Sequence, residues 1–165
     1  HKEYRRQRQM CIRDRDILVK KEKIFDNIVA VSGTKKEAIR TISRLCAKQT
    51  MLDATQLEEA FWKREEWDST GCGEGIAIPH AIIKEIDEVQ LFIVRFRYPI
   101  EWESFDDKKV DIAFAIIAPE EKRQEKYLVF LSRLARKLVD EKFIANFRNC
   151  RSTEAVYQYV KNELE

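Results

Sequence analysis

The decapeptide Val110-Asp111-Ile112-Ala113-Phe114-Ala115-Ile116-Ile117-Ala118-Pro119 is apolar at every position except Asp111. A strand with one wet face alternates apolar and polar residues, so a run apolar at both odd and even positions belongs inside a sheet covered on both sides. Val89 to Tyr98 has the same character for most of its length, and Pro119 ends the second run. Two buried central strands require helices on both of their faces.

The flanking sequence supplies those helices. Thr34 followed by Glu37 is a capping-box signature for a helix whose apolar face is Ala38, Ile39, Ile42, Leu45 and Cys46. Asp53 with Gln56 repeats the signal, and Leu57, Ala60 and Phe61 carry a second helix to about Glu66. Ile24 to Val31 reads as a strand or extended segment. Downstream, from about Glu121, the residues Leu128, Leu131, Leu134, Ala135 and Leu138 recur at helical spacing and predict a long amphipathic helix. Phe143 and Phe147 mark a short helix, and Ser152 caps a last one carrying Val156, Tyr157 and Val160. The pattern predicts a single-domain α/β sandwich with a mixed β-sheet flanked by helices.

With 165 residues, 44% hydrophobic and 36% charged, the chain suits one domain with its own core. It has no apolar run near the roughly 20 residues that span a bilayer and no signal-peptide centre, so it is expected to be cytoplasmic and not membrane-embedded. Cys11, Cys46, Cys72 and Cys150 form no C-x-x-C pair. That argues for reduced thiols, no disulfide framework and no metal site. The net charge of +2 is uneven: residues 1–23 hold nine Lys/Arg against four Asp/Glu, leaving 22 against 25 for the rest. A basic arm is a nucleic-acid signal, but Gln9 to Arg15 resembles translated sequencing-adaptor read-through and His1 to Arg15 has no apolar period. Residues 1–15 are therefore expected to be a non-native or disordered tail, the domain to occupy 16–165, and nucleic acid not to be a partner.

The chemistry concentrates in Ser69-Thr70-Gly71-Cys72-Gly73-Glu74-Gly75-Ile76-Ala77-Ile78-Pro79-His80. Glycines at alternate positions bare a strip of backbone whose amides can approach an anion. Pro79 makes Ile78 extended and so aims His80, the single histidine outside the tail. A neutral imidazole is a competent nucleophile near pH 7, and a phosphorylated ring nitrogen stays reactive enough to pass its group on. The transferring oxygens need fixed donors, and the Thr70 hydroxyl, the amides of Gly71, Gly73 and Gly75, and the guanidinium of Arg64 are the candidates. The plainer alternatives are a structural histidine at 80 and a solvated arginine at 64. A further alternative makes Cys72 a thiol nucleophile with His80 as its base, although no orienting carboxylate or amide is identifiable.

The segment Arg64 to His80, ending in Gly75-Ile76-Ala77-Ile78-Pro79-His80, resembles the active-site signature of the fructose/mannitol-type IIA domains of the bacterial phosphoenolpyruvate-dependent phosphotransferase system. Lys35-Lys36-Glu37-Ala38, Pro99-Ile100, Val110-Asp111, Ala118-Pro119 and the Leu131 to Leu138 run extend the resemblance over about residues 18 to 163. With no membrane or IIB-like segment attached, the free-standing nitrogen-regulatory IIA proteins are the nearest type. The resemblance implies a phosphoryl relay needing no cofactor. An HPr-like phosphocarrier protein would phosphorylate His80 with help from Arg64, and a downstream regulated protein or IIB component would receive the group or sense it. A non-enzymatic regulatory module of the same fold, or the IIA component of a fructose/mannitol-type sugar transporter, are the alternatives. Three departures from the family stand out: its second site histidine is Tyr127 here, its loop asparagine is Glu74, and the glycine after the active histidine is Ala81. A phenol with a pKa of about 10 adds no positive charge near neutrality, so transfer is expected to be weak.

A chain beginning at Asp16 should melt within experimental error of the full chain. A loss of more than about 1 kcal/mol, the typical cost of a removed contact, would show that residues 1–15 pack on the body.

Overall fold

The computed structural model describes residues 19–120 and 128–164. The expected tail, the first turns of the helix expected from Glu121, and Tyr127 lie outside the described residues. The elements are β1 (Ile24–Ile28), α1 (Lys35–Thr50), α2 (Ala54–Glu65), β2 (Gly71–Gly73), β3 (Ile76–Ala77), β4 (His80–Ile83), β5 (Gln90–Ile100), β6 (Val110–Pro119), α3 (Leu128–Leu138), α4 (Glu141–Arg148) and α5 (Thr153–Leu164). The sheet runs in the order β1-β5-β6-β3-β2, with β4 also paired to β6. β1 is parallel to β5, β5 antiparallel to β6, and β3 and β4 parallel to β6, so the sheet is mixed.

Both central strands are covered on both faces, as their sequences require. Ile112, Phe114 and Ile116 of β6 with Leu91 and Ile93 of β5 pack under α3, α4 and α5, against Phe130, Leu134, Phe143, Phe147, Val156 and Val160. The alternate residues Ala113, Ala115 and Ile117, with Phe92, Val94 and Phe96, pack under α1 and α2 against Ile39, Ile42, Cys46, Leu57 and Phe61. The expected caps are present: Thr34 Oγ1 accepts from the Glu37 amide (3.3 Å), Asp53 Oδ2 from the Gln56 amide (3.3 Å), and Ser152 Oγ from the Ala155 amide (3.1 Å). Among the described residues no helix is long and apolar enough to cross a membrane.

Three details differ from the sequence reading. The inner row of α3 is Phe130, Leu134 and Leu138, while Leu128 is 58% exposed. An aromatic ring buries more surface than a leucine, and Phe130 rotates the helix so that its own row faces the sheet. β1 stops at Ile28, where Asn27 enters positive φ and the pairing register shifts. The glycine strip is itself a hairpin, β2 against β3, joined by the two residues Glu74 and Gly75.

Both residues of that turn lie in the left-handed region, Glu74 at φ 55° and Gly75 at φ 77°. Two-residue hairpins need this conformation because it matches the twist of the strands, and Asn-Gly is the sequence that adopts it most readily. A glutamate there carries the Cβ penalty of roughly 1 kcal/mol. Glu74→Asn should therefore raise stability by about 0.5–1 kcal/mol in urea unfolding. An unchanged or lower midpoint would show that the Glu74 carboxylate, 3.2 Å from Lys108 Nζ, outweighs the strain.

Candidate functional site

α2 presents one row of residues four apart to the core, and that row reads Leu57, Phe61, Glu65. Glu65 is 4% exposed. A bare carboxylate at that depth would cost several kcal/mol, and four donors surround it. Oε1 accepts from the Thr70 amide (2.9 Å) and from Trp102 Nε1 (2.9 Å), and Oε2 from the Thr70 hydroxyl (2.6 Å). Lys35 Nζ stands 2.7 Å from Oε1 and bridges on to Glu103 at 2.7 Å. The same ammonium lies over the rings of Trp62 and Trp102, 5.9 and 5.5 Å from their centroids. One carboxylate thus ties the start of α1, the end of α2, the approach to β2 and the loop after β5 into a single node.

That node sets the residues expected at the site. Arg64 precedes Glu65, and its Nη1 donates to the Asp68 carbonyl at 2.7 Å, which holds the guanidinium over the loop leading to the hairpin. Thr70 also receives the Ile78 amide on its carbonyl (3.0 Å). The strand beyond is anchored by the Ile116 amide on the Pro79 carbonyl (2.9 Å), and His80 pairs with Ile116 of β6. Position 80 continues the alternation of Ile76 and Ile78, which face the α3–α5 core. His80 is half-buried at the edge of the sheet.

Burial, helped by the neighbouring Arg64 cation, pushes the His80 pKa down to about 4. The Ile78 backbone hydrogen bond and the Glu65 carboxylate pull weakly the other way. Two of the expected site residues, His80 and Arg64, are therefore close enough to interact, and the imidazole is neutral throughout the physiological range.

Two of the expected donors, the Thr70 hydroxyl and the Gly71 amide, have protein partners, as does the Glu74 amide of the turn. The Thr70 hydroxyl serves Glu65, the Gly71 amide donates to Ser69 Oγ (3.3 Å), and the Glu74 amide to Asp106 Oδ2 (2.7 Å). At Gly71 a Cβ would lie 2.2 Å from the Glu103 carbonyl oxygen, which leaves no room for a side chain. Gly73 faces the Phe105 ring in the same way. The Glu74 carboxylate is exposed and paired with Lys108. Burial raises the Cys72 pKa to about 11, so no thiolate exists near neutrality and the Cys72–His80 alternative lacks its nucleophile. Among the described residues no group of three or more His, Cys, Asp or Glu side chains is arranged for a metal ion.

Glu65, Lys35 and Trp102 escaped the sequence reading. In Lys63-Arg64-Glu65-Glu66 the carboxylate looks solvated. The available signal was its place four residues beyond Phe61 and eight beyond Leu57, on the buried row.

The family model described as "Phosphoenolpyruvate-dependent sugar phosphotransferase system, EIIA 2" matches residues 17–163. The chain is 36% identical over 129 residues to the nitrogen regulatory protein of Escherichia coli strain K12, covering 77% of this chain and 78% of that one. Its fold is similar to that of the nitrogen regulatory protein IIA-Ntr from Neisseria meningitidis, with a TM-score of 0.79, 27% identity, and coverage of 88% of this chain and 97% of the other. It shares the fold of the mannitol IIA of Escherichia coli at a TM-score of 0.69 and 21% identity, covering 86% and 98% of the two chains.

An NMR titration of the imidazole nitrogens should place the His80 midpoint near 4. Because the folded pKa lies below the unfolded value of about 6.5, the unfolded chain binds the extra proton between those values. Stability is then complete above about pH 6.5 and falls as the pH drops towards 4, by up to about 3 kcal/mol from this group. His80→Ala should flatten that slope. A midpoint at 6 or above would contradict the geometry.

Proposed function

This chain belongs to the phosphoenolpyruvate-dependent sugar phosphotransferase system EIIA 2 family, and from that premise we propose that His80 is its phosphoryl acceptor in a nitrogen-type regulatory branch. One observation carries the assignment: the family's signature delivers a neutral, half-buried imidazole beside the Arg64 guanidinium.

In the proposed step a ring nitrogen of His80 attacks phosphorus on the phosphohistidine of an HPr-like phosphocarrier. The new N–P bond forms as the donor N–P bond breaks, and the departing nitrogen keeps the bonding pair. His80 needs no base, because its lowered pKa leaves the lone pair free of a proton. Arg64 meets the oxygens with planar, charge-assisted donors, and the cation that discourages protonation of His80 then stabilises its phosphorylated form. The group passes on to a IIB component, or its presence alters a downstream regulated protein, with the relay working in the cytoplasm. Tyr127 takes the place of the family's second histidine and contributes a neutral hydroxyl, which makes transfer slower than an imidazolium would.

His80→Ala should abolish acid-labile labelling from phosphoenolpyruvate, the first relay enzyme and the phosphocarrier. Arg64→Lys should slow labelling about tenfold, or about 1.4 kcal/mol at the transition state, without unfolding the domain. Tyr127→His should accelerate it. Acid-labile label persisting on His80→Ala would refute the acceptor assignment, and silence of both Tyr127→His and Tyr127→Phe would make that residue core filling.

A further inference from the structure

The turn of the glycine hairpin is gripped from outside. Arg148, the last residue of α4, donates from Nη1 to Asp111 Oδ2 (2.7 Å) and from Nη2 to Asp111 Oδ1 (3.0 Å). Nη2 also donates to the Glu74 carbonyl (2.7 Å). On the same turn, the Asp111 and Ile112 amides donate to the Gly75 carbonyl at 2.9 and 3.1 Å. Any side chain at Gly75 would push this clasp aside, since a Cβ would lie 2.7 Å from Arg148 Nη2 and 2.8 Å from Asp111 Oδ1.

The clasp sits at the start of β3, upstream of the β4–β6 pairing, where the strand's own side chains do little to define its register. β3 is two residues long, and the segment Ile76-Ala77-Ile78 is apolar at every position, so its side chains do not distinguish the two faces of the sheet. A slip of one residue along β6 would move Ile76 off Ile112, Ala77 off Ala113 and His80 off Ile116. Such a slip turns every side chain to the opposite face, His80 included. The bidentate pair holds Arg148 on Asp111 of β6, its third bond ties the Glu74 carbonyl to the same point, and the Asp111 and Ile112 amides on the Gly75 carbonyl set where the parallel run begins against β6.

We propose that Arg148 and Asp111 are positioning residues for His80, their ion pair locking the register of the short strands between the glycine turn and the imidazole. Neither residue needs to touch the transferred group. The kinetic part of this proposal rests on His80 being the phosphoryl acceptor, and the spectroscopic part does not.

The test compares Arg148→Met, Arg148→Lys and Asp111→Asn with the unmodified protein by two measurements: the imidazole titration of His80, and the rate of phosphorylation by purified phosphorylated phosphocarrier over a range of carrier concentrations. Arg148→Met and Asp111→Asn should raise the His80 midpoint by about one unit as the ring loses its buried setting beside Arg64. They should lower the saturating rate about tenfold or more while leaving the half-saturating carrier concentration unchanged. Arg148→Lys, which keeps the charge and loses the fork, should fall between. Lys137→Met serves as the control, because it removes an ion pair of the same helical layer, Lys137 to Glu163 at 2.8 Å, far from the hairpin in sequence. The proposal is overturned if Arg148→Met and Asp111→Asn keep the original titration and saturating rate, or if Lys137→Met reproduces their effects. If the unmodified protein accepts no phosphoryl group, the acceptor assignment fails and the titrations still decide the register lock.

Discussion

A carboxylate in the core is tolerated only when its neighbours replace the water it has lost. Glu65 meets that condition with an ammonium, an indole N–H, a backbone amide and a hydroxyl. The donors come from the start of α1, the strand-to-loop junction after β5 and the approach to β2. Their convergence means that the sheet, the α1–α2 layer and the loop beneath His80 share one geometry. Losing any one donor would leave part of the buried charge uncompensated, so these elements hold their places together.

The node also explains how the site keeps an uncharged imidazole beside a cation. Arg64 and Glu65 are neighbours in sequence, yet one points its guanidinium to the loop and the other its carboxylate to the interior. The carboxylate is occupied by Lys35, Thr70 and Trp102, so its pull on His80 is weaker than burial and the Arg64 field. Were the carboxylate turned towards the ring, the imidazole would hold its proton and lose its lone pair to it.

Much of the fold was legible because burial on two faces leaves a mark in composition. β5 and β6 announce themselves by lacking alternation, and the caps at Thr34, Asp53 and Ser152 are local enough to read directly. The place of His80 was legible for a similar reason, since glycines followed by Ile-Pro-His constrain the backbone itself. What else presses on those glycines was not legible: Gly71 lies against the Glu103 carbonyl and Gly75 against the Arg148–Asp111 pair, both distant in sequence. Single-sequence reading sees period and local chemistry; it does not see which far segment returns to press on a given atom. The inner row of α3 was misassigned on the same account, because several apolar stripes were available and the packing of Phe130 selected one.

The hairpin turn is secured by a residue 74 positions further along the chain. A contact of such separation can close only when both of its segments exist, and its loop-closure cost must be met before it contributes. A chain growing from its N-terminus holds His80, Arg64 and the whole Glu65 node well before it holds Arg148. If Arg148 positions His80 as proposed, the segment bearing the imidazole would be set only once α4 is synthesised and docked. Chemical competence would then be among the last properties the molecule acquires, and a chain lacking α4 would present an unfinished site.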